Sequence, residues 1–222
     1  MTSAYWAAAL ALAGAVVAAC SGSGVSAGPK ASALELFASG CASALVPRHG
    51  SAVALGGQLV ATAAHVVAGA SEVRLVEPGG RAHAAAIAAI DTQRDIAVLR
   101  ATDLDRPPLP MHALAAGNRG AFFGFGGENP TVVTFTVVRA VPIISEDIYV
   151  QGEHSRPGYE LGARVVAGDS GAGLIGTDGA LGGIVWATNR TNDDRAWGIS
   201  TEAIVSLLAS VGSAVVAAVP CP

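Results

Sequence analysis

Three side chains of this sequence could together activate a hydroxyl group for attack on a carbonyl carbon. Ser170 stands in Gly168-Asp169-Ser170-Gly171, where glycine next to a nucleophile lets the backbone approach closely. A serine hydroxyl is a weak nucleophile until a neighbouring base removes its proton. His65, in Thr62-Ala63-Ala64-His65-Val66, follows an apolar segment and is the candidate base. Neither motif is specific alone, because Gly-Asp turns and structural histidines are common.

The third group should be a carboxylate that orients the histidine and stabilises its positive charge. Asp95 stands directly before the apolar segment Ile96-Ala97-Val98-Leu99, and Asp91, in the preceding turn, is its rival. The other histidines lack a comparable context and are interpreted as surface or packing residues: His49, His83, His112 and His154. The residue types therefore predict a catalytic group of Ser170, His65 and Asp95.

Many short apolar segments separated by turn residues must position this group, which is the pattern of an all-β sandwich or barrel. A helical period near the end predicts a helix over about residues 201–212, capped by Thr201, and one or two helical turns are expected within 31–37. Two packed β-barrels are expected over about residues 41–105 and 109–200. The candidate strands are 51–55, 58–61, 72–76, 82–90, 96–100, 121–125, 131–141, 164–166, 173–176, 180–186 and 196–200.

The first twenty residues differ from the rest. Residues 7–19 are apolar and uncharged, too short to span a bilayer, and suit the core of a signal peptide, although no Lys or Arg precedes them. The small residues before Cys20 resemble the lipobox of bacterial lipoproteins. This pattern predicts a signal peptide over 1–19, an acylated Cys20 and a tether over 20–40. Ordinary secretion with cleavage near Ala19, or a buried N-terminal helix, are the alternatives.

Composition and cysteine usage exclude several classes. The net charge is −4 and the 13 basic residues form no run, which argues against a nucleic-acid binder. The cysteines show no zinc-type spacing, so neither a metal nor an organic cofactor is expected. If Cys20 is acylated, Cys41 and Cys221 remain. They either bridge the two ends of the folded domain or are unrelated buried thiols.

The order His65, Asp95, Ser170, with the TAAH and GDSG motifs, resembles the chymotrypsin-like serine peptidases. The block Asp95-Ile96-Ala97-Val98-Leu99 further resembles the bacterial high-temperature-requirement proteases. The terminal cysteines resemble those of the extracytoplasmic acid-resistance proteases of actinobacteria, a similarity that runs from Cys41 to Cys221. The resemblance implies two six-stranded antiparallel Greek-key barrels and an extracytoplasmic serine endopeptidase acting on polypeptides. It also implies an oxyanion hole made by the backbone N–H groups of Gly168 and Ser170.

Three features depart from that family. Ala172 stands where the family has glycine, and no Ile-Val-Gly-Gly activation sequence is present, so Asp169 needs another partner, such as Arg164 or a backbone donor. The substrate pocket is unfamiliar: Trp186 would narrow it, Gly198 would line its far wall, and Arg164 near its base would suit an acidic side chain. A non-catalytic binding or chaperone-like lipoprotein with an unformed oxyanion hole is therefore the main alternative, followed by an esterase or acyltransferase.

Overall fold

The computed structural model describes residues 28–40, 48–212 and 219–222. The expected signal peptide over 1–19, Cys20 and Cys41 lie outside the described residues, so cleavage, acylation and the Cys41–Cys221 bridge stay predictions. No helix within the described ranges is long and apolar enough to cross a membrane.

Twelve strands and three short helices make up the described part of the chain. The strands are β1 Ala33–Ser39, β2 Arg48–Gly56, β3 Leu59–Thr62, β4 Glu72–Val76, β5 Ala82–Asp91, β6 Ile96–Arg100, β7 Arg119–Gly124, β8 Thr131–Glu146, β9 Glu153–Gly162, β10 Gly173–Gly176, β11 Leu181–Thr188 and β12 Arg195–Ser200. The helices are α1 Pro29–Ser32, α2 Ala64–Val67 and α3 Thr201–Leu208.

The strands form two closed antiparallel barrels of six strands each. The first has the order β1-β2-β3-β6-β5-β4 and closes where β1 pairs with β4. The second has the order β10-β11-β12-β9-β8-β7 and closes where β10 pairs with β7. The prediction of an all-β chain with two six-stranded barrels and a C-terminal helix is therefore confirmed.

The prediction of one or two helical turns within residues 31–37 is wrong, because α1 ends at Ser32 and β1 occupies Ala33–Ser39. Leu34, Leu36 and Ala38 are buried in alternation with Glu35 and Phe37, which is the period of a strand with one face on a core. Pairing of β1 with both β2 and β4 outweighs the helix propensity of Ala, Leu and Glu. The first barrel thus begins before residue 41.

Three other details differ from the sequence-based expectations. Residues 164–166 are not a strand, whereas β9, which contains Pro157, was not expected to be one. This proline is tolerated because β12 pairs only with the part of β9 from Gly158 to Gly162. The terminal helix ends at Leu208, and Ser200 caps it in place of Thr201 by accepting the Glu202 N–H.

The two barrels meet along the face that carries the candidate residues. α2 follows β3 and holds His65, while Asp95 precedes β6, so both belong to the first barrel. Ser170 lies in the loop before β10, and Trp186 lies in β11, so both belong to the second barrel. A site made from these residues therefore depends on how the barrels pack against each other.

Candidate active site

His65 and Asp95 form a close pair in the first barrel. The His65 Nδ1 lies 2.8 Å from Asp95 Oδ2, and the His65 backbone N–H donates to Oδ1 at 2.8 Å. Only 6% of the Asp95 side chain is exposed, against 36% for His65. Because the carboxylate faces Nδ1, the proton is assigned to that nitrogen and Nε2 is left as the basic atom.

The turn before β6 separates the two candidate aspartates. Asp91 accepts the backbone N–H groups of Gln93 and Arg94 at 3.1 and 2.8 Å, so it caps the turn and is not the partner of His65. Burial alone would raise the pKa of Asp95. Hydrogen bonds and positive charge from His65, together with the Trp186 indole N–H, nevertheless hold that pKa below its ordinary value. Asp95 therefore remains a carboxylate at neutral pH.

The loop that carries Ser170 is fastened to the first barrel by Ser51. The Ser51 backbone N–H donates to the Ser170 carbonyl at 2.8 Å, and its hydroxyl donates to the Gly168 carbonyl at 2.7 Å. Ser51 is fully buried and its own carbonyl accepts the Thr62 hydroxyl at 2.7 Å. The sequence offered no signal for this role of Ser51, since a serine at the start of an apolar segment is unremarkable.

Trp186 forms hydrogen bonds with both Ser170 and Asp95. Its carbonyl accepts the Ser170 hydroxyl at 3.3 Å, and its indole N–H donates to Asp95 Oδ2 at 2.7 Å. Within the described residues, no hydrogen bond joins Ser170 and His65. A β-carbon placed on Gly50 would lie 2.8 Å from a methyl of Val66, the neighbour of His65, and 3.3 Å from the Ser170 carbonyl oxygen. The loop that carries Ser170 and the helix that holds His65 therefore approach each other across Gly50, which has no side chain.

The peptide groups next to Ser170 offer N–H donors. Gly168 has φ +99°, a conformation that favours glycine. A β-carbon placed on Gly126 would lie 2.6 Å from the Ala167 carbonyl oxygen, so this oxygen lies against Gly126. In the described part of the chain, the N–H groups of Gly168 and Ser170 have no acceptor.

Backbone donors hold the Asp169 carboxylate. Oδ1 accepts the Gly126 N–H at 2.9 Å and Oδ2 accepts the Val166 N–H at 3.0 Å. Burial raises the pKa of Asp169, and these bonds oppose that effect. Arg164 is exposed and, among the described residues, makes no bond to Asp169. The sequence suggested Arg164 or a backbone donor as the partner of Asp169, and among the described residues the partners are backbone donors.

Of the three residues expected in the substrate pocket, Trp186 and Gly198 lie on adjacent strands, since Gly198 pairs with Val185, whereas Arg164 lies in the segment after β9. Arg164 is exposed, and Gly198 is buried with a β-carbon position 2.7 Å from the Leu174 side chain in the second core. The Trp186 indole N–H is directed at Asp95, although the residue also borders a groove of about 850 Å³ between β8 and the end of β11. This groove is further lined by Ile143, Glu146, Arg190 and Trp197.

The departure at position 172 is absorbed by packing. Ala172 is buried in the core of the second barrel, in the same cluster as Leu174 and Val185. Its methyl group therefore packs within this core. Among the described residues, no cluster of three His, Cys, Asp or Glu side chains is arranged to hold a metal ion.

Comparison with known proteins gives consistent results. Residues 50–184 match the family model described as a trypsin-like peptidase domain. The serine protease Rv3671c of Mycobacterium tuberculosis is 31% identical over 158 residues, which cover 69% of this chain and 40% of the relative. The chain therefore spans about two fifths of the length of the curated relatives that it matches.

Solved structures show the same fold. The active form of the M. tuberculosis Rv3671c protease has a TM-score of 0.79 at 24% identity, covering 87% of this chain and 86% of that one. Its inactive form has a TM-score of 0.69 at 25% identity, covering 83% and 91%. A serine endoprotease from Yersinia pestis has a TM-score of 0.64 at 20% identity, covering 84% and 64%.

Proposed function

This chain belongs to the family of trypsin-like peptidase domains, and we propose that it is a serine endopeptidase with Ser170 as nucleophile, His65 as base and Asp95 as orienting carboxylate. The observation that carries the proposal is the contact of Asp95 with both His65 nitrogens that face it, the ring Nδ1 and the backbone N–H. A histidine held in this way leaves Nε2 available to take a proton.

The reaction starts from the side-chain arrangement described above. Rotation of the Ser170 hydroxyl from the Trp186 carbonyl towards His65 Nε2 lets His65 take the proton as the Ser170 Oγ bonds to the substrate carbonyl carbon. The substrate oxygen becomes negative and accepts hydrogen bonds from the N–H groups of Gly168 and Ser170. In such sites each of these bonds stabilises the transition state by on the order of 3 kcal/mol. His65 then protonates the leaving amine as the C–N bond breaks, and water hydrolyses the acyl-enzyme by the same route.

Labelling with a fluorophosphonate tests this proposal. The full-length oxidised chain should be labelled at Ser170, and Ser170→Ala and His65→Ala should both abolish labelling. His112→Ala is the matched control, because His112 is half exposed and paired with Asp178 away from the site. Labelling that survives Ser170→Ala, or that His112→Ala also removes, contradicts the proposed roles. Casein cleavage compared with short-chain ester hydrolysis then separates a peptidase from an esterase or acyltransferase.

A second candidate function is a non-catalytic binding or chaperone-like protein on the same fold. The observation that favours it is the Ser170 hydroxyl bond to the Trp186 carbonyl, with no bond to His65 among the described residues. In that case a folded full-length chain would not react with the fluorophosphonate, although its melting transition would be normal. The available N–H groups of Gly168 and Ser170 favour the peptidase over this alternative.

We further propose that the protein is extracytoplasmic, with an acylated Cys20 and a Cys41–Cys221 disulfide. Support for the disulfide comes from the neighbours of the two cysteines. Cys221 packs against Gly69, with its Sγ 3.7 Å from the Gly69 carbonyl oxygen, and Gly40 packs against Ser71, two residues further on. Intact-mass analysis of the membrane fraction tests acylation. Non-reducing peptide mapping tests the bridge, and a chain with two free thiols would contradict it.

A further inference from the structure

The indole of Trp186 makes an unusual contact with the catalytic candidates. Its N–H donates to Asp95 Oδ2 at 2.7 Å, the same oxygen that lies 2.8 Å from His65 Nδ1. Hydrogen bonds to a charged acceptor are about twice as strong as neutral ones. The Asp95 carboxylate therefore has three donors, of which two come from His65 in the first barrel and one comes from the second barrel.

The backbone of Asp95 adopts an uncommon conformation that its neighbours help to hold. Asp95 has φ +58°, in the left-handed region, which Asn and Asp adopt more often than other residues with a side chain but still only occasionally. Such a conformation persists only where the surroundings hold it in place. The donors on its carboxylate supply that restraint, so the loss of any one of them would let the side chain move relative to His65.

Arg156 in turn holds the Trp186 ring. Its guanidinium lies 4.6 Å from the ring centroid, and the residue is only 1% exposed. Its Nη2 donates to the Gln93 carbonyl at 2.7 Å and to the Glu146 carbonyl at 2.9 Å. Gln93 lies two residues before Asp95, so one buried cation fixes both the ring and the turn that carries the carboxylate.

Electrostatics around Arg156 are consistent with this arrangement. Burial lowers the pKa of Arg156, and the negative charges of Asp95, Asp91 and Asp147 oppose that effect. The charge of the guanidinium therefore acts on the same carboxylate that the indole binds. A positive charge over the ring face also polarises the indole and strengthens its N–H as a donor.

We propose that Trp186, held by Arg156, is a positioning residue of the peptidase reaction: its indole N–H keeps the Asp95 carboxylate aligned with His65 Nδ1. This inference rests on the proposed function, since it assigns Trp186 a task in the same catalytic group. Trp186 acts through Asp95 and touches no reacting atom with its side chain. It thereby couples alignment of the catalytic pair in the first barrel to correct docking of the second.

The experiment removes the N–H and keeps the ring. Trp186→Phe, and replacement of Trp186 by β-(3-benzothienyl)alanine, which has the shape of tryptophan without the N–H, are made in the full-length chain. We expect the second-order rate of fluorophosphonate labelling to fall about 10- to 100-fold, the loss typical of one hydrogen bond to a charged group. Trp197→Phe is the matched control, because Trp197 borders the same groove and its indole has no hydrogen bond within the described residues.

A pH profile separates positioning from a general loss of structure. Removal of a donor makes the Asp95–His65 pair bind its proton more readily, so the acid limb of the labelling rate should move to higher pH in both Trp186 variants. In Trp197→Phe the limb should stay in place. Adding Arg156→Met to Trp186→Phe should cause less than the sum of the two separate effects, and additive effects would remove Arg156 from the proposal.

The outcomes distinguish this inference from the proposed function. If the parent is labelled and Ser170→Ala is not, yet the benzothienylalanine protein is folded and reacts at the parental rate with an unmoved acid limb, the role of Trp186 is refuted while the peptidase stands. If the folded parent is not labelled at all, the proposed function fails and this inference fails with it.

Discussion

Ser51→Ala should loosen the nucleophile loop without touching any residue of the proposed catalytic group. The Ser51 hydroxyl donates to the Gly168 carbonyl at 2.7 Å and accepts the Phe125 backbone N–H at 3.3 Å. Alanine deletes this single oxygen and leaves both backbone groups without that partner. The Ser51 backbone N–H, which donates to the Ser170 carbonyl, is unaffected.

The expected magnitude follows from burial. Ser51 is 0% exposed and Phe125 is 4% exposed, whereas Gly168 is half-buried, so water can replace the lost hydroxyl only in part. A buried polar group without a partner costs about 1–3 kcal/mol. The Phe125 bond is long and the Gly168 carbonyl is half-buried, so we expect the free energy of unfolding to fall by about 1–2 kcal/mol.

Reactivity should fall as well, because Gly168, whose N–H is a proposed oxyanion donor, is no longer held through its carbonyl group. Complete loss of one oxyanion donor costs about 10²- to 10³-fold, so a displaced donor should cost about tenfold. Urea unfolding and the fluorophosphonate labelling rate measure the two effects at neutral pH. Ser39→Ala is the control, since its hydroxyl makes only an exposed 3.5 Å contact. A Ser51→Ala protein that matches Ser39→Ala in both assays refutes the reasoning.

Two further changes test other parts of the site, and a third tests an ion pair elsewhere in the first barrel. Gly171→Ala should abolish labelling and lower the melting temperature more than Ser51→Ala, because Gly171 has φ +91° and the added β-carbon would lie 2.1 Å from the Ser51 carbonyl oxygen; normal labelling would contradict this. Asp95→Asn should fold yet be labelled on the order of 10³- to 10⁴-fold more slowly, and a rate within tenfold of the parent would exclude the orienting role. The His83 hydrogen bond at 2.8 Å lowers the pKa of Glu77. A lowered carboxyl pKa stabilises the fold above the unfolded-state value of about 4.3, and that stability is lost as the pH falls through the folded-state value. Glu77→Gln should therefore be less stable than the parent at pH 6, with a gap in urea midpoint that closes below about pH 4; a gap of equal size at pH 6 and pH 3 would count against the pairing.

Local patterns predicted most of the strands and indicated the candidate catalytic residues. Ser170, His65 and Asp95 each stand in a short motif whose neighbours are adjacent in sequence, so residue types alone indicate them. Alternation of apolar and polar residues was sufficient for β4, and a continuous apolar run was sufficient for β6. In β1, residues with high helix propensity hide the alternation of buried and half-buried side chains. This alternation decides the structure because β1 pairs with both β2 and β4.

The sequence does not predict β9, for a different reason. Its run from Glu153 to Gly162 carries Arg156, Pro157 and Gly158, which are unfavourable in most strands. It forms because β8 and β12 offer ladders on both sides, with Pro157 beyond the end of the β12 pairing. The partner strands that hold this segment extended are recognised only in the folded sheet, so the local sequence of β9 does not indicate them.

The sequence by itself determined which groups could react, because nucleophile, base and carboxylate are recognised by residue type and order. Only the tertiary structure decided what holds them. Ser51 and Gly168 are 117 residues apart, and Asp95 and Trp186 are 91 residues apart, yet each pair shares a hydrogen bond across the interface of the barrels. Such a bond depends on the packing of two closed sheets, so no spacing in the chain can indicate it.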